Sequence, residues 1–557
     1  MTGVTSAPPV VPRRTAGLSR TADGRLVPTA RRRMVPLVRH EDRWVGWVMT
    51  FCLGALALFL RLWDLGRTRE FEFDETYYAK DAWSLLHHGY VTNYASSDAN
   101  DKILAGQLHG LFSNEPEMIV HPEVGKWLIA MGEAVFGMNP FGWRVAAAVV
   151  GSLMVMVMVR LARRLTGSNL LGAVAGLLLC FDGLEFVLSR MAMLDIFLAF
   201  FELCAVACLV ADRDWGRLRM ARATPPGYRT TIRDWGPVRA MLWRPWRLAA
   251  GLFFGLALGT KWDAIWALAA LSILVWVWDS GARRSIGVRG ARLRSFVVDS
   301  IPAFGYLVVV AGFVYLASWT GFLLHAHVYE KYLSDTQYGP PWGAYIDKPW
   351  HGFDLWRSMH DLWNYHVDVF NFHTKFLNSA HHTYQSKPQG WPILNRPVGV
   401  QADLGIKPGV DGCTAVAGST CLRQTVLLGT PVLWWGGVLA LLYSFYGWIG
   451  KRDWRYGLVL VGFVANWLPW VRFDERPIFS YYSIAMLPYT VLALVLVIGT
   501  LLGGPTASYR RRTWGASVSG AFVVLVVLNF AWFWPIYTGG LITTQQWLER
   551  IWFKQWI

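Results

Sequence analysis

The chain has 557 residues, of which 54% are hydrophobic and 16% charged, with 32 tryptophans and a net charge of +16. A typical soluble domain carries about a quarter charged residues, and tryptophan is enriched at membrane–water interfaces, so the composition excludes an ordinary soluble protein and predicts an all-α polytopic membrane protein. Basic membrane anchors account for the net charge without a nucleic-acid partner.

The N-terminal arm, 1–43, contains nine arginines among Pro and Ser residues and is predicted to be disordered. After it come apolar runs close to the length of about 20 residues that crosses a bilayer as a helix. Lys261 and Asp263 interrupt the apolar stretch 247–278, which we therefore divide into two spans. The prediction is about eleven transmembrane helices, at 44–63, 141–161, 169–188, 191–210, 247–261, 262–278, 297–318, 427–449, 455–471, 481–502 and 516–536.

Clusters of Arg and Lys set the predicted orientation. With eleven spans, the arm, the connections 211–246 and 279–296, the turn near 451 and Arg510 to Arg512 all fall on one side. That side is predicted to be cytoplasmic, so the N-terminus is inside and the C-terminus extracytoplasmic. The predicted divisions are the arm at 1–43, an N-terminal transmembrane module at 44–320, an extracytoplasmic loop at 321–426, and C-terminal helices with an outer tail at 427–557.

Two long loops lie on the predicted outer side, where loops longer than about 15 residues are commonly functional. The first, 66–140, is acidic in its first part, and the second, 321–426, is rich in His, Trp, Tyr and Pro. Cys413 and Cys421 both lie in the second loop, in GCTAVAGSTC. An oxidising outer setting favours a disulfide between them over two free thiols.

The stretch FEFDETYYAKDAW places Asp74 and Glu75 directly after the first span. One interpretation is structural, because Asp caps helix N-termini and Glu suits the first turn. The other is chemical: adjacent helical residues point about 100° apart, so the two carboxylates would serve two partners at the outer membrane surface. One carboxylate would act there as general base on a hydroxyl, while its neighbour holds the acceptor or tunes the pKa of the base.

Basic residues recur at the outer ends of separate predicted spans. Such side chains can simply snorkel, but Arg also binds phosphate through two parallel donors. We predict that this set holds the phosphate of a lipid headgroup. The candidates are Arg144, Arg190 and Arg476, then Lys126 and Lys261, with His121 and Tyr482 beside them and Asp195 and Trp262 as secondary residues.

The second loop holds eight of the thirteen histidines, from His325 to His382. Structural zinc sites need ligands at recognisable spacing, and no Cys pair supports one here, so packing and hydrogen bonding are the preferred interpretation. No resident metal is predicted, although Mg²⁺ or Mn²⁺ between Asp74 and a phosphate stays open. No glycine-rich nucleotide loop follows a strand.

Four motifs, in this order and topological placement, resemble the pattern of the protein O-mannosyltransferases, which are polytopic glycosyltransferases of the GT-C class. The resemblance covers most of the chain, from about residue 60 to 555, and implies a GT-C-type fold. The motifs are Asp74-Glu75, His121-Pro122-x-x-Gly125-Lys126, Ser189-Arg190-x-x-x-Leu194-Asp195 and Lys261-Trp262.

The resemblance implies transfer of mannose from polyprenyl-phosphate-mannose to Ser or Thr hydroxyls of exported proteins, with inversion, at the outer face of the cell membrane. Asp74 matches the essential acid of the family and would remove the hydroxyl proton, and Glu75 matches the neighbour associated with the acceptor. The implied partners are the lipid-linked donor, secreted or membrane protein acceptors with the secretion translocon as one delivery route, and membrane lipids.

Two features depart from the family pattern. The second loop is too short for the β-trefoil MIR domain of many eukaryotic members, which favours a bacterial type, and the composition would suit an actinobacterial source. His121-Pro122-Glu123 stands where the family usually has His-Pro-Pro. Two alternatives remain: another GT-C transferase that adds arabinose or aminoarabinose to a glycolipid, and a transporter or flippase, which would place ionisable residues near the bilayer midplane.

Overall fold

The computed structural model describes residues 18–20, 26–28, 43–224, 233–343, 348–504 and 507–557. Within the arm before residue 43 it describes only two short strands, β1 Leu18–Arg20 and β2 Leu26–Pro28, which pair antiparallel. The remainder of the arm, for which disorder is predicted, lies outside the described residues.

Helices make up most of the described chain. The first group comprises α1 Arg43–Leu62, α2 Glu75–His88, α3 Ala99–Leu104, α4 Val124–Phe136, α5 Pro140–Thr166, α6 Asn169–Cys180, α7 Gly183–Leu188, α8 Leu194–Ala223, α9 Arg239–Leu242, α10 Pro245–Leu258, α11 Ala264–Ser285 and α12 Ala291–Ala317. The second group comprises α13 Thr320–Leu324, α14 Ala326–Leu333, α15 Leu355–Thr374, α16 Pro431–Gly450, α17 Trp454–Trp467, α18 Leu487–Leu502, α19 Tyr509–Tyr537 and α20 Thr544–Leu548.

Short 3₁₀ turns connect several of these helices. They are Phe376–Ser379, Pro388–Ile393, Leu468–Arg472, Ser480–Ala485 and Lys554–Trp556. The turn at Ser480–Ala485 leads into α18 and carries Tyr482, one of the predicted site residues.

Each of the eleven predicted membrane segments overlaps one or two of these helices. The predicted break between Gly259 and Trp262 is present, since α10 ends at Leu258 and α11 begins at Ala264. Within the described ranges, seven helices are long and apolar enough to cross a membrane, namely α1, α5, α8, α11, α12, α16 and α19. The other predicted spans lie on shorter helices, so the number of crossings stays a prediction.

Local sequence explains how the helices begin and end. Asn139 caps α5 by accepting a hydrogen bond from the Gly142 N–H at 3.0 Å, and Pro140 occupies the first turn, where its missing N–H costs nothing. Gly167 ends α5 in the left-handed conformation, with φ of 68°. Ser168 then caps α6, so α5 and α6 form a tight antiparallel pair.

Helix α8 lies at the centre of the bundle, and 89% of its most apolar stretch is buried. Helix α10 packs along α8 on one side and against α12 on the other. A Cβ atom on Gly251 would lie 1.8 Å from the Tyr306 carbonyl oxygen, so only glycine permits this approach of α10 to α12. Small residues at such contacts are typical of membrane helix pairs.

The all-α prediction needs a correction in the loops, which contain two small antiparallel sheets. In the first loop β3 Thr92–Tyr94 pairs with β4 Phe112–Pro116. In the second loop β5 Val398–Ile406 pairs with β6 Cys421–Leu427, and the C-terminal strand β7 Ile542–Thr543 joins β6. Register shifts interrupt the pairing of β5 with β6. The two segments therefore lack the regular alternation of apolar and polar residues by which a strand is predicted from sequence. A disulfide joins Cys413 to Cys421, with an S–S distance of 2.05 Å.

The bundle therefore has two distinct ends. One end, the loop end, carries both long loops and the C-terminal tail, because β7 pairs with β6. The opposite end carries the start of α1 and a buried ionic network that ties α8, α10, α11 and α12 together. In this network Arg244 and Arg247 share Asp212 and Asp279, and Arg283 binds Asp299, with closest N–O distances of 2.6, 2.8 and 2.5 Å.

Candidate active site

Asp74 lies at the start of α2, at the loop end, after a strained turn. Phe73 adopts φ of 54°, a left-handed conformation that is costly for a bulky residue. Its ring meets Phe479 and Tyr481 edge-on, with centroid distances of 5.5 and 5.9 Å, which holds the turn in place.

The Asp74 carboxylate makes no capping hydrogen bond to the described backbone of α2. It instead accepts a long hydrogen bond of 3.5 Å from the Tyr78 hydroxyl. Helix capping therefore does not account for the acid at this position, and its half-buried carboxylate is available for another partner.

Glu75 points in a different direction and is fully buried. Its carboxylate forms a bidentate ion pair with Arg144 of α5, with Nε–Oε1 and Nη2–Oε2 distances of 2.8 and 2.7 Å. The same oxygens accept the backbone N–H groups of Ala192 and Glu72, both at 2.9 Å. The bonds to Arg144 and Ala192 join the first loop to the bundle, and the bond from Glu72 closes the turn before α2, so Glu75 holds the loop in place.

Two of the three arginines predicted first for a phosphate, Arg144 and Arg190, donate hydrogen bonds to protein groups. Arg144 gives its remaining N–H groups to the carbonyls of Leu65, Thr68 and Glu70. Arg190 donates to the carbonyls of Leu60, Arg61, Trp63 and Asp64, where α1 ends. All three nitrogens of the Arg144 guanidinium are therefore bound within the protein, whereas Arg190 is held mainly through Nη1 and pairs with no carboxylate of the described chain.

Lys126 and the unusual Glu123 are also bound within the protein. Lys126 is buried and pairs with Asp81 at 2.8 Å, which joins α4 to α2. Glu123 accepts hydrogen bonds from the Trp127 indole at 3.2 Å and the Gly321 N–H at 3.4 Å. Burial raises the pKa of Glu123 to about 7, and the Lys126 charge opposes this rise. This segment therefore joins α4 to the beginning of the second loop.

The groups that surround Asp74 are Lys261, Asp195 and Tyr482. Lys261, in the turn between α10 and α11, pairs with Asp195 at 2.9 Å, and its ammonium lies 4.5 Å from the centre of the Tyr482 ring. Burial raises the pKa of Asp74 to about 6, with Lys261 opposing the rise and Asp195 adding to it. Asp74 is thus a carboxylate whose pKa is close to neutral pH beside a fixed cation.

Arg476 forms a second cationic group next to this one. Its Nη1 lies 2.9 Å from the His373 ring nitrogen of α15, and its guanidinium lies 5.8 Å from the Trp470 ring. No carboxylate of the described chain lies within ion-pair distance of Arg476. The charged neighbours of the Tyr482 phenol include Arg476, Lys261 and Asp74, so both cations and the acid lie around this ring.

Two neutral histidines line the same cluster. The rings of His121 and His373 stack with centroids 5.7 Å apart, and His121 also lies 6.3 Å from the Tyr78 ring. Burial lowers the pKa of His373 to about 3, with the Arg476 charge lowering it too, and burial likewise lowers the pKa of His121. Both rings are therefore neutral at neutral pH, and His373 accepts a hydrogen bond from Arg476.

Trp262 completes the cluster by joining α11 to the second loop. Its indole N–H donates to the Tyr315 hydroxyl of α12 at 2.8 Å, and its ring stacks on His366 with centroids 5.4 Å apart. His366 in turn lies 2.6 Å from the same Tyr315 hydroxyl. Helix α15 is thereby fixed over the bundle with His373 turned towards Arg476.

The sequence did not single out His373, Tyr78 or Trp470. The only signal was the concentration of histidines in the second loop, which we interpreted as packing. In the described residues no three His, Cys, Asp or Glu side chains are grouped so that they could hold a metal ion. Whether a divalent cation acts between Asp74 and a phosphate is a question for an assay with chelator.

Comparison with known proteins covers nearly the whole chain. The family model described as dolichyl-phosphate-mannose-protein mannosyltransferase matches residues 51–329, and the C-terminal four TMM region of protein-O-mannosyltransferase matches 358–556. A polyprenol-phosphate-mannose–protein mannosyltransferase of Mycolicibacterium smegmatis is 37% identical over 522 residues, which is 92% of this chain and 94% of that protein. The protein of the same description from Mycobacterium tuberculosis is 36% identical over 520 residues, 92% of each chain.

The fold has a solved counterpart. The structure of the S. cerevisiae protein O-mannosyltransferase Pmt1-Pmt2 complex bound to the sugar donor matches with a TM-score of 0.66 at 12% identity, covering 97% of this chain and 96% of that one. The family models and the mycobacterial relatives place the chain among the membrane glycosyltransferases. Within that class, the chain belongs to the protein O-mannosyltransferase family.

We expect the Glu75–Arg144 pair to support the fold and not the proton transfer. Glu75→Gln should lower the free energy of unfolding by about 3–5 kcal/mol, because it leaves a buried arginine without its counterion. The Glu75→Gln/Arg144→Met double variant should recover part of this loss. Thermal unfolding of the purified variants in detergent measures both effects, with Asp74→Asn as the neighbouring control that keeps wild-type stability. A stable but inactive Glu75→Gln variant would instead place Glu75 in the chemistry.

Proposed function

We propose that this chain transfers mannose from polyprenyl-phosphate-mannose to Ser or Thr hydroxyls of exported proteins, with inversion at the sugar carbon. The observation that carries the proposal is the placement of Asp74, a half-buried carboxylate beside Lys261 and near Arg476, in a chain 37% identical to a mycobacterial enzyme named for this reaction. An acid and two cations at one site match a reaction that removes a proton from a hydroxyl and releases a phosphate.

Asp74 acts as the general base in this mechanism. Its carboxylate accepts the hydroxyl proton as the acceptor oxygen forms a bond to C1 of mannose. The bond from C1 to the phosphate oxygen breaks in the same step, and its electron pair leaves with the polyprenyl phosphate. A pKa of about 6 suits this role, because a base works best when its pKa lies near the operating pH.

Arg476 and Lys261 hold the leaving phosphate. Arg476 has its guanidinium near a neutral histidine and a tryptophan ring, so a phosphate would supply its missing counterion. Lys261 already shares its charge with Asp195, which fixes its position next to Asp74. His121 and Tyr482 supply neutral donors between them. Cations fixed in advance stabilise the developing negative charge without reorganisation during the reaction.

The reaction is proposed to take place on the extracytoplasmic side of the cell membrane. The eleven-span topology, with the N-terminus inside and the C-terminus outside, supports this assignment because Asp74 and the C-terminal tail share the loop end. Residues 44–320 then carry Asp74 and Lys261, the C-terminal helices at 427–557 carry Arg476 and Tyr482, and 321–426 form the outer loop above them. Helix α4 exposes Trp127, Met131 and Val135 along one face, which suits a helix lying on the membrane. Acceptors would arrive there as chains leaving the secretion translocon.

An assay with defined substrates tests the function. Purified protein, synthetic polyprenyl-phosphate-mannose and a Ser/Thr-rich peptide should yield mannosylated peptide, and Asp74→Asn should reduce the rate at least about 100-fold because the base is lost. Mass spectrometry of the peptide measures transfer, and a parallel arm with chelator tests for a divalent cation. Transfer from a polyprenyl-phosphate-arabinose donor alone would refute the proposal in favour of another lipid-linked transferase.

The pH dependence should report the ionisation of Asp74. Burial raises its pKa from the ordinary value to about 6, so the base is protonated at lower pH and kcat/KM should fall about tenfold per unit below 6. His373 has a pKa of about 3 and should add no step between pH 5 and 8. Initial rates at limiting donor measure the profile, with unfolding temperature followed at each pH. A flat profile from pH 5 to 8 would exclude Asp74 as the base.

Arg476 should affect donor use specifically. Arg476→Gln should lower kcat/KM for the lipid donor about 10-fold to 100-fold, the range expected for a charge-assisted hydrogen bond of about 1.5–3 kcal/mol. Arg472→Gln is the matched control, since Arg472 is exposed on the same segment. Donor titrations of both variants give the comparison. An unchanged donor dependence in Arg476→Gln would remove this residue from the phosphate site.

A further inference from the structure

A cavity lies at the end of the bundle opposite to Asp74. Its volume is about 680 Å³, and it lies between α1, α5 and α8, with Trp246 of α10 at its edge. Its wall is largely apolar and includes Leu153, Met156, Phe200 and Ala207. The volume is within the range of about 300–1,000 Å³ that is typical of small-molecule sites. Nothing in the proposed mannosyl transfer uses this cavity.

The polar rim of the cavity is strongly basic. Four arginines line it, Arg43, Arg160, Arg163 and Arg164, against the single carboxylate of Asp214. Arg164 pairs with Asp214 at 3.3 Å, and Arg163 donates to the neutral amide of Asn169. The rim therefore keeps an excess of positive charge beside an apolar wall.

Arg160 is the group that points most clearly to a ligand. Its guanidinium lies over the Trp47 ring at 3.9 Å, and both residues line the cavity. Its Nη1 atom is buried and has no hydrogen-bond partner in the part of the chain that the structure describes. The side chain as a whole is only half-buried and forms no ion pair with a carboxylate of the described chain, so an anion in the cavity would supply its counterion.

We propose that this cavity binds one anionic glycerophospholipid of the membrane leaflet at this end of the bundle. The phosphate contacts Arg160, with Arg163 and Arg164 close by, because a guanidinium binds two phosphate oxygens at once. The acyl chains run along the apolar wall. Helix α1 is only 28% buried over its apolar stretch, so chains too long for the cavity pass beside it into the bilayer.

The lining favours a lipid over a soluble anion. A free phosphate would satisfy Arg160 but leave the apolar wall around Met156 and Phe200 exposed to water, which costs about 25 cal/mol per Å². An amphiphile covers the wall and neutralises the rim together. Trp47 at the boundary between them is placed as interfacial tryptophans are in membrane proteins.

Lipid binding to the purified full chain tests the site. After delipidation, the protein in mild detergent is titrated with palmitoyl-oleoyl-phosphatidylglycerol or the matching zwitterionic phosphatidylcholine, and bound lipid is counted by native mass spectrometry. We expect saturable binding of one phosphatidylglycerol, about tenfold weaker in Arg160→Gln and intermediate in Arg160→Lys, which keeps the charge without the two-pronged contact. Arg289→Gln, an exposed arginine at the same end and away from the cavity, should bind like the wild type.

A second variant keeps the test valid if Arg160→Gln does not fold. Ala207→Phe fills part of the apolar wall and should weaken phosphatidylglycerol binding while leaving all four arginines in place. Equal binding of the two lipids, or wild-type affinity in both cavity variants, would overturn the proposal. Competition by glycerol 3-phosphate at the concentration of the lipid would also overturn it, because the rim would then be a site for a soluble anion.

Discussion

The ion pair between Glu75 and Arg144 is the constraint on which the candidate site depends. It joins the first residue of α2 to α5 across 69 positions of sequence, and further hydrogen bonds tie the same carboxylate to Ala192 and the same guanidinium to the turn after α1. Removing two charges from water is costly unless every remaining donor and acceptor is bonded, and here these groups are bonded. With Glu75 fixed inwards, Asp74 must point about 100° away, towards Lys261 and Tyr482.

The basic residues at the loop end have two different roles in the structure, although their positions in the sequence are similar. Arg144, Arg190 and Lys126 are bound to carboxylates or carbonyls and hold the loops on the bundle. Lys261 shares Asp195 and is a charged neighbour of Asp74, whereas the one hydrogen-bond partner of Arg476 in the described chain is the neutral ring of His373. A low-dielectric setting requires each buried charge to be paired. Partner availability therefore separates the structural cations from those left for a substrate.

The requirement that buried charges be paired also applies at the opposite end of the bundle. Asp212, Asp279 and Asp299 neutralise Arg244, Arg247 and Arg283 and fasten four helices together. Among the described residues, the neighbouring arginines of α5 pair with one carboxylate, that of Asp214, and Arg160 pairs with none. An excess of arginine beside an apolar wall is consistent with the positive charge expected on the cytoplasmic side and accounts for the lipid site that we propose there.

The sequence by itself determined the membrane class, the positions of the apolar helices and the break before α11. These features depend on local composition and spacing, because each membrane helix must satisfy its own backbone and present an apolar surface. Only the tertiary structure decided that Glu75 pairs with Arg144, that Arg190 caps α1 and that His373 meets Arg476. It also revealed β5, β6 and β7, whose pairing joins distant segments. Contacts between residues far apart in the chain depend on how the helices pack, and no local pattern of side chains specifies that packing.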